Sequence, residues 1–319
     1  MSADRSPVRP GLPDRVDMSV RVGSITLPNP VMTASGTAGH GTELSAYLDL
    51  GALGAFVVKS LSADPWAGNP APRVHQTPAG MINSVGLQGP GIEAWLDGGL
   101  VALQRSGVER IVVSIWGRTV DEYRRAAQML AAAPRSVIAV EVNLSCPNLD
   151  GGKHLFAHDP ALAAEVIGVC AAAGRPLWAK LSPNTDRVAE VAGAVAGAGA
   201  EAVTLTNTLL GMAIDPQTRK PRLGAGGGGV SGPAIHPVAV RAVYDCRVAH
   251  PDLPIIGVGG VATADDAIEF MLAGAQACQV GTATFADPAT PATVLDGIRK
   301  WCESHKIERV HELSGGAHG

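Results

Sequence analysis

Three sets of residues in this 319-residue chain have types and spacings suited to chemistry: a cysteine, two lysines and a group of glycines. The cysteine sits in Glu141-Val142-Asn143-Leu144-Ser145-Cys146-Pro147-Asn148. A lone cysteine is ordinarily an inert buried hydrophobe, the reading that suits Cys170 and Cys278. Cys146 differs, because Asn, Ser and Pro around it put a thiol on a fixed, polar, accessible loop. A free thiol has a pKa of ~8.5, so as a base it would make activity rise with pH.

Lys59 and Lys180 each end an apolar run. A buried ammonium is costly unless it meets an anion or a polarised carbonyl, which points to an electron-rich ligand; a salt bridge at the same place serves equally well, and both readings stand for each lysine alone. Gly259, Gly260, Gly281 and Thr282 also follow apolar runs, where backbone N–H groups can approach a phosphate beside a helix N-terminus. The segment from Gly257 to Ala262 mimics a dinucleotide fingerprint, but Ala277-Cys278-Gln279 stands where the ribose-binding acid belongs, so nicotinamide binding through it is rejected. The glycines 226–229 suit either a flexible linker or the approach to a third phosphate donor, Gly232. His154 and His158 have helical metal-pair spacing but lie in a Gly-led loop without H-E-x-x-H, so no metal is expected.

These residues need elements to hold them. Eight β-branched apolar runs recur at 31–34, 55–59, 111–115, 137–142, 177–181, 202–206, 254–258 and 276–280. Ala-rich helical stretches lie between most of them, at 121–133, 159–173, 185–198, 236–249 and 263–273. Alternation of this kind implies a parallel sheet, and eight strands imply a single-domain α/β (β/α)8 TIM barrel spanning 18–305, with residues 1–17 a disordered tail and 306–319 a C-terminal tail. Chemistry in such barrels collects at strand C-termini, and the polar residues Ser35, Lys59, Ser60, Ser114, Asn143, Lys180 and Thr206 to Thr208 stand there. Gly51, Gly199 and Gly274 precede strands as if in equivalent αβ turns. The long connections 60–110 and 207–253 are candidate lids over the mouth, with surface decoration the alternative.

Charged residues make up 17% of the chain and the formal net charge is −4, so nothing favours nucleic acid or an anionic membrane as partner. The first 17 residues carry arginines and prolines without an apolar core, and no apolar run is long enough to span a bilayer, so a cytoplasmic location is expected. Five cysteines, none in a C-x-x-C pair, argue against a disulfide framework, a zinc site or an iron–sulfur cluster within the chain.

The Asn143 to Asn148 segment resembles the catalytic loop of the class 1 dihydroorotate dehydrogenases, and the resemblance extends over nearly the whole chain. Ala34-Ser35-Gly36, Val58-Lys59-Ser60, Asn83 to Gln88, Lys180 to Asn184, Asn207-Thr208, Ser231 to Ala234, Gly257 to Val261 and Gly281-Thr282 are similar to family segments in family order. The resemblance implies FMN held by Ser35, Lys59, Ser60, Asn143, Lys180, Thr206, Gly232, Gly259, Gly260, Gly281 and Thr282. It implies dihydroorotate or orotate held by Lys59, Asn83, Gly86, Leu87, Asn143, Asn207 and Thr208. Cys146 would be the base and Lys59 a second catalytic group, with hydride leaving the neighbouring substrate carbon for the flavin and Lys180 stabilising negative charge there. Gly151-Gly152, Phe156, Asp159-Pro160 and Thr218-Arg219 resemble the class 1B form. That form implies a homodimer core in a heterotetramer, with partner subunits carrying FAD and [2Fe–2S] and passing electrons to NAD. Ser114, Ala38 and His40 depart from the family pattern and place flavin affinity, not the base, in question. Other readings are a class 1A enzyme using fumarate, a dihydropyrimidine dehydrogenase-like barrel, and a silent flavin-binding scaffold.

Overall fold

The computed structural model describes residues 16–145 and 156–319. Its centre is a barrel of eight strands: β1 (Val31–Thr33), β2 (Phe56–Val57), β3 (Ile111–Ile115), β4 (Val137–Asn143), β5 (Leu177–Lys180), β6 (Ala200–Leu205), β7 (Ile255–Val258) and β8 (Ala277–Val280). Each pairs in parallel with its neighbour in the chain from β2 onward, and β8 returns to β1. A parallel bridge between Met32 and Ala55 closes the ring. Every residue of β3, β5, β7 and β8 is buried, as strands covered on both faces require.

The surrounding layer comprises α1 (Ile92–Asp97), α2 (Gly99–Arg105), α3 (Val120–Leu130), α4 (Pro160–Cys170), α5 (Val188–Gly197), α6 (His236–Ala249), α7 (Ala264–Leu272) and α8 (Thr290–His305). Local chemistry sets their starts. The Thr119 hydroxyl accepts from Glu122 N–H at α3, Asp159 caps α4 ahead of Pro160, and Thr263 with Asp266 forms a capping box on α7. In α3 the buried Tyr123, Ala126, Ala127 and Leu130 fall at helical spacing along one stripe. Gly199 and Gly274 adopt positive φ (106° and 122°) just before β6 and β8, as their αβ turns demand. Gly51 does not, because β1 and β2 are joined through a short 3-10 turn, Leu50–Ala52, whose start Asp49 caps.

The two long connections build a second, antiparallel sheet in the order Leu209–Gly211, Gly228–Ser231, Gly80–Asn83, Val74–Thr77. Gly228 and Gly229 are therefore strand residues, and the linker reading of that run gives way. A Cβ at Gly228 would stand 2.3 Å from the Asn83 carbonyl oxygen, and one at Gly229 2.1 Å from Thr208 Oγ1. The Asn83 backbone at one glycine and the Thr208 side chain at the other leave no room for a Cβ.

The opposite end of the barrel carries a hairpin, Val20–Val22 with Ile25–Leu27, whose turn donates from Ser24 N–H to Glu201 Oε2 at the start of β6 (2.8 Å). Residues 306–319 pack beside it. Val310 and Leu313 are buried, Arg309 and Asp17 form a parallel backbone bridge, and Gly315 and Ala317 N–H donate to Met271 and Leu272 carbonyls at 2.9 and 3.0 Å. The packed unit thus runs past 305. No helix among the described residues is long and apolar enough to cross a membrane. Truncation after His305 is expected to lower stability by about 2 kcal/mol or more, the scale of exposing two aliphatic side chains, in urea unfolding monitored by circular dichroism. An unchanged midpoint would make residues 306–319 an ornament.

Candidate active site

Between the C-terminal strand ends and the antiparallel cap lies a cavity of about 380 Å³. Ser35, Lys59, Ser60, Asn143, Lys180 and Thr206 line it from the barrel side. Gly232, Gly259, Gly260, Gly281 and Thr282 line it as well, and Asn83, Gly86, Leu87, Asn207 and Thr208 arrive from the long connections. Every site residue expected from the sequence that lies among the described residues is therefore in this one place. Cys146 and His154 lie outside the described residues, although Asn143 and Ser145 line the cavity.

Beneath the cavity is a buried polar network. Lys180 Nζ lies 3.6 Å from Glu141 Oε1 and donates to Gln279 Oε1 and Ser35 Oγ, each at 3.2 Å. Glu141 Oε2 accepts from Gln279 Nε2 (2.7 Å) and Thr204 Oγ1 (3.3 Å). Glu141 is fully buried and Lys180 nearly so. For Lys180 the salt-bridge reading is thus correct in part, with the partner inside the barrel while the residue still lines the cavity. Lys59 is different: no hydrogen bond or ion pair to its ammonium forms among the described residues. Burial holds its pKa below that of an ordinary lysine.

Asn143 is fixed from three sides. Its side-chain amide donates to Ser60 Oγ (3.3 Å), its Oδ1 accepts from Asn207 Nδ2 (3.1 Å) and Ser145 N–H (3.2 Å), and its carbonyl accepts from the buried Tyr123 hydroxyl (2.6 Å). Ser114 does not line the cavity; its hydroxyl lies 2.9 Å from Ser60 Oγ and supports it from below. Ala38 is buried in the core. His40 is partly buried in the loop after β1, and burial together with the nearby Lys59 charge lowers its pKa.

The glycines cluster at another part of the wall. Gly259 and Gly260 have φ of 137° and 74°, and a Cβ on Gly260 would stand 2.7 Å from His236 Cβ and 3.0 Å from the Gly232 carbonyl oxygen. Thr282 donates to Ser231 Oγ beside them (2.8 Å).

Sequence reasoning missed Glu141, Thr204, Gln279 and Asn184. Asn184 donates to Ser182 Oγ and the Thr208 carbonyl and accepts from Leu210 N–H, tying two mouth loops together. Its place in Lys180-Leu181-Ser182-Pro183-Asn184, directly after a strand, was the available signal. Cys170, Cys246 and Cys278 are buried thiols with pKa values pushed up to about 12, as inert cysteines should be. No group of three or more potential metal ligands occurs among the described residues.

Removing one member of a buried pair leaves the other charge uncompensated, typically at about 3–5 kcal/mol. Glu141→Ala is expected to lose stability on that scale in urea unfolding, whereas Glu141→Leu combined with Lys180→Met loses less than the single change. A double variant no more stable than the single one would show that the pair is not the source.

Comparison with known proteins agrees with this geometry. A family model described as dihydroorotate dehydrogenase matches residues 17–301. A protein of Desulforudis audaxviator named "Dihydroorotate dehydrogenase B (NAD(+)), catalytic subunit" is 48% identical over 95% of this chain and 98% of its own length. Proteins of the same name from Geotalea daltonii and Alkaliphilus oremlandii are 49% and 47% identical, each over 94% of this chain and 97% and 99% of their own lengths. The residues that meet at the barrel mouth and the match along nearly the whole sequence lead to one conclusion: the chain belongs to the dihydroorotate dehydrogenase family.

Proposed function

We propose that this chain is the FMN-binding catalytic subunit of a cytoplasmic dihydroorotate dehydrogenase, oxidising (S)-dihydroorotate to orotate in pyrimidine biosynthesis. The observation that carries this reading is the convergence of both predicted residue sets, cofactor and substrate, on one cavity. The wall fits FMN in three respects. The glycine cluster presents bare backbone suited to a phosphate. Among the described residues Thr206 Oγ1 is buried with no hydrogen-bond partner and Lys59 is a cation without an anion. When bound, FMN supplies the hydride acceptor.

The chain's own groups do the rest. Asn83, Asn143 and Asn207 offer planar amides, which present the donors and acceptors that a pyrimidine-dione ring requires. Lys59 meets the substrate carboxylate or the flavin, and the depressed pKa that comes from burial rises again once an anion joins it. Cys146 Sγ, as the base, takes the proton from the substrate carbon beside a carbonyl, and Lys59, as the second catalytic group, fixes the ring. Lys180, anchored by Glu141, places positive charge at the cavity floor, where negative charge develops.

The relatives' name, with its NAD(+) and "catalytic subunit", supports a separate partner subunit that passes electrons to NAD. On the class 1B resemblance, we take that partner to carry FAD and [2Fe–2S] in an assembly around a homodimer core. Robust fumarate turnover by this chain alone would instead favour the class 1A reading. Steady-state assays with dihydroorotate and with dihydrouracil test the substrate: turnover of dihydroorotate is expected, and turnover of dihydrouracil only would overturn the proposal. In the same assays Cys146→Ala should retain FMN while slowing flavin reduction ~100-fold or more, the scale of losing a general base. Undiminished reduction would place the base elsewhere.

A further inference from the structure

We infer that His236 is a positioning residue for the phosphate end of the cofactor site, an inference that rests on the FMN reading above. His236 opens α6 and is 9% exposed. Its Nδ1–H donates to the Gly259 carbonyl at 2.8 Å, since a carbonyl can only accept, and its Nε2 lies 2.9 Å from Glu269 Oε2 on α7. The ring also packs edge-to-face against Phe270, centroids 5.0 Å apart at 82°. One side chain therefore ties the start of α6 and the middle of α7 to the turn after β7.

The consequence lies in the geometry of the peptide between Gly259 and Gly260. It is a planar trans unit, for among the described residues the cis bonds are at Ala71-Pro72 and Leu205-Thr206. In a trans peptide the C=O and the following N–H point in opposite directions. His236 does not line the cavity, whereas Gly259 and Gly260 do. Holding the Gly259 oxygen on the His236 side turns the Gly260 N–H toward the cavity. Two successive glycines would otherwise sample many orientations, because each is nearly free of steric restriction. The histidine removes that freedom before any ligand arrives, so the phosphate meets a donor already aimed. Close packing reinforces the restraint: Gly260 sits against His236 so tightly that a Cβ would overlap it.

FMN and riboflavin differ by the phosphate alone, so together they isolate this effect from general loosening of the fold. The full-length chain is freed of flavin and titrated with each, following quenching of flavin fluorescence. The wild type is expected to prefer FMN. His236→Ala should weaken FMN binding by about 5–10-fold, the worth of one positioned hydrogen bond, with riboflavin affinity unchanged. His236→Asn, whose amide nitrogen reaches the Nδ1 position, should restore most of the FMN preference. Equal weakening of both flavins in His236→Ala would mark a purely structural role, and an unchanged FMN preference would refute the inference directly. Should His236→Ala not fold, Glu269→Ala decides, since that side chain is 58% exposed. It should weaken FMN about 2–3-fold without affecting riboflavin, the fraction of a hydrogen bond lost when only its support is removed, and no change would overturn the inference. A wild type with no preference for FMN over riboflavin would take down the FMN reading itself, and this inference with it.

Discussion

The site depends on a lysine and a glutamate buried together inside the barrel. Each ion costs several kcal/mol to desolvate, and the cost is offset only when good geometry and further hydrogen bonds satisfy both. Here Glu141 comes from β4, Lys180 from β5, Thr204 from β6 and Gln279 from β8, with Ser35 following β1. Four strands of the ring and the loop after a fifth thus contribute to one network. Strand side chains alternate between faces, so slipping any of these strands by one residue would turn its polar group into the helix layer. The observed register, with Asn143 beside Lys180 and Thr204 beside Lys180, lets the groups meet. The polar centre requires the closed sheet.

From this centre the order passes upward. Asn143 lies two residues beyond Glu141 on the same strand and therefore on the same face, which carries it to the cavity wall. There Tyr123, Ser60 and Asn207 hold it, and Ser114 holds Ser60. Above the wall the four-stranded cap supplies Asn83 and, through its neighbouring turns, Gly86, Leu87 and Thr208. Barrel side chains are fixed by a buried network, while cap residues depend on short antiparallel strands and on ties such as Asn184. In the proposed function the chemistry that needs fixed charge would sit on the first, and ring recognition would draw largely on the second.

Much of this was legible in the sequence. All eight strands announced themselves as β-branched runs, since strands buried on both faces tolerate little else, and their polar terminators pointed to the cavity. Glu141, Thr204 and Gln279 were not legible, because a polar residue within an apolar run reads as an interruption until the ring closes and gives it a partner. The cap sheet was equally hidden. Its strands are three or four residues long and carry glycine and polar residues, too short for a period to emerge. His236 read as one more helical residue, for its work is done across space with a carbonyl 23 positions away. The family resemblance marked Ser114 as a departure bearing on flavin affinity; a serine is short, and its hydroxyl meets Ser60 among the described residues.

In the proposed function one cavity brings dihydroorotate and FMN together, and the chain alone carries out the first half-reaction. The most direct measurement is the visible absorption spectrum of the purified chain under anaerobic conditions during titration with dihydroorotate. Oxidised flavin bands are expected to bleach in proportion to the dihydroorotate added, with an equal amount of orotate appearing. A chain that purifies without flavin and takes up none, or one whose flavin bands persist in excess dihydroorotate, would contradict it.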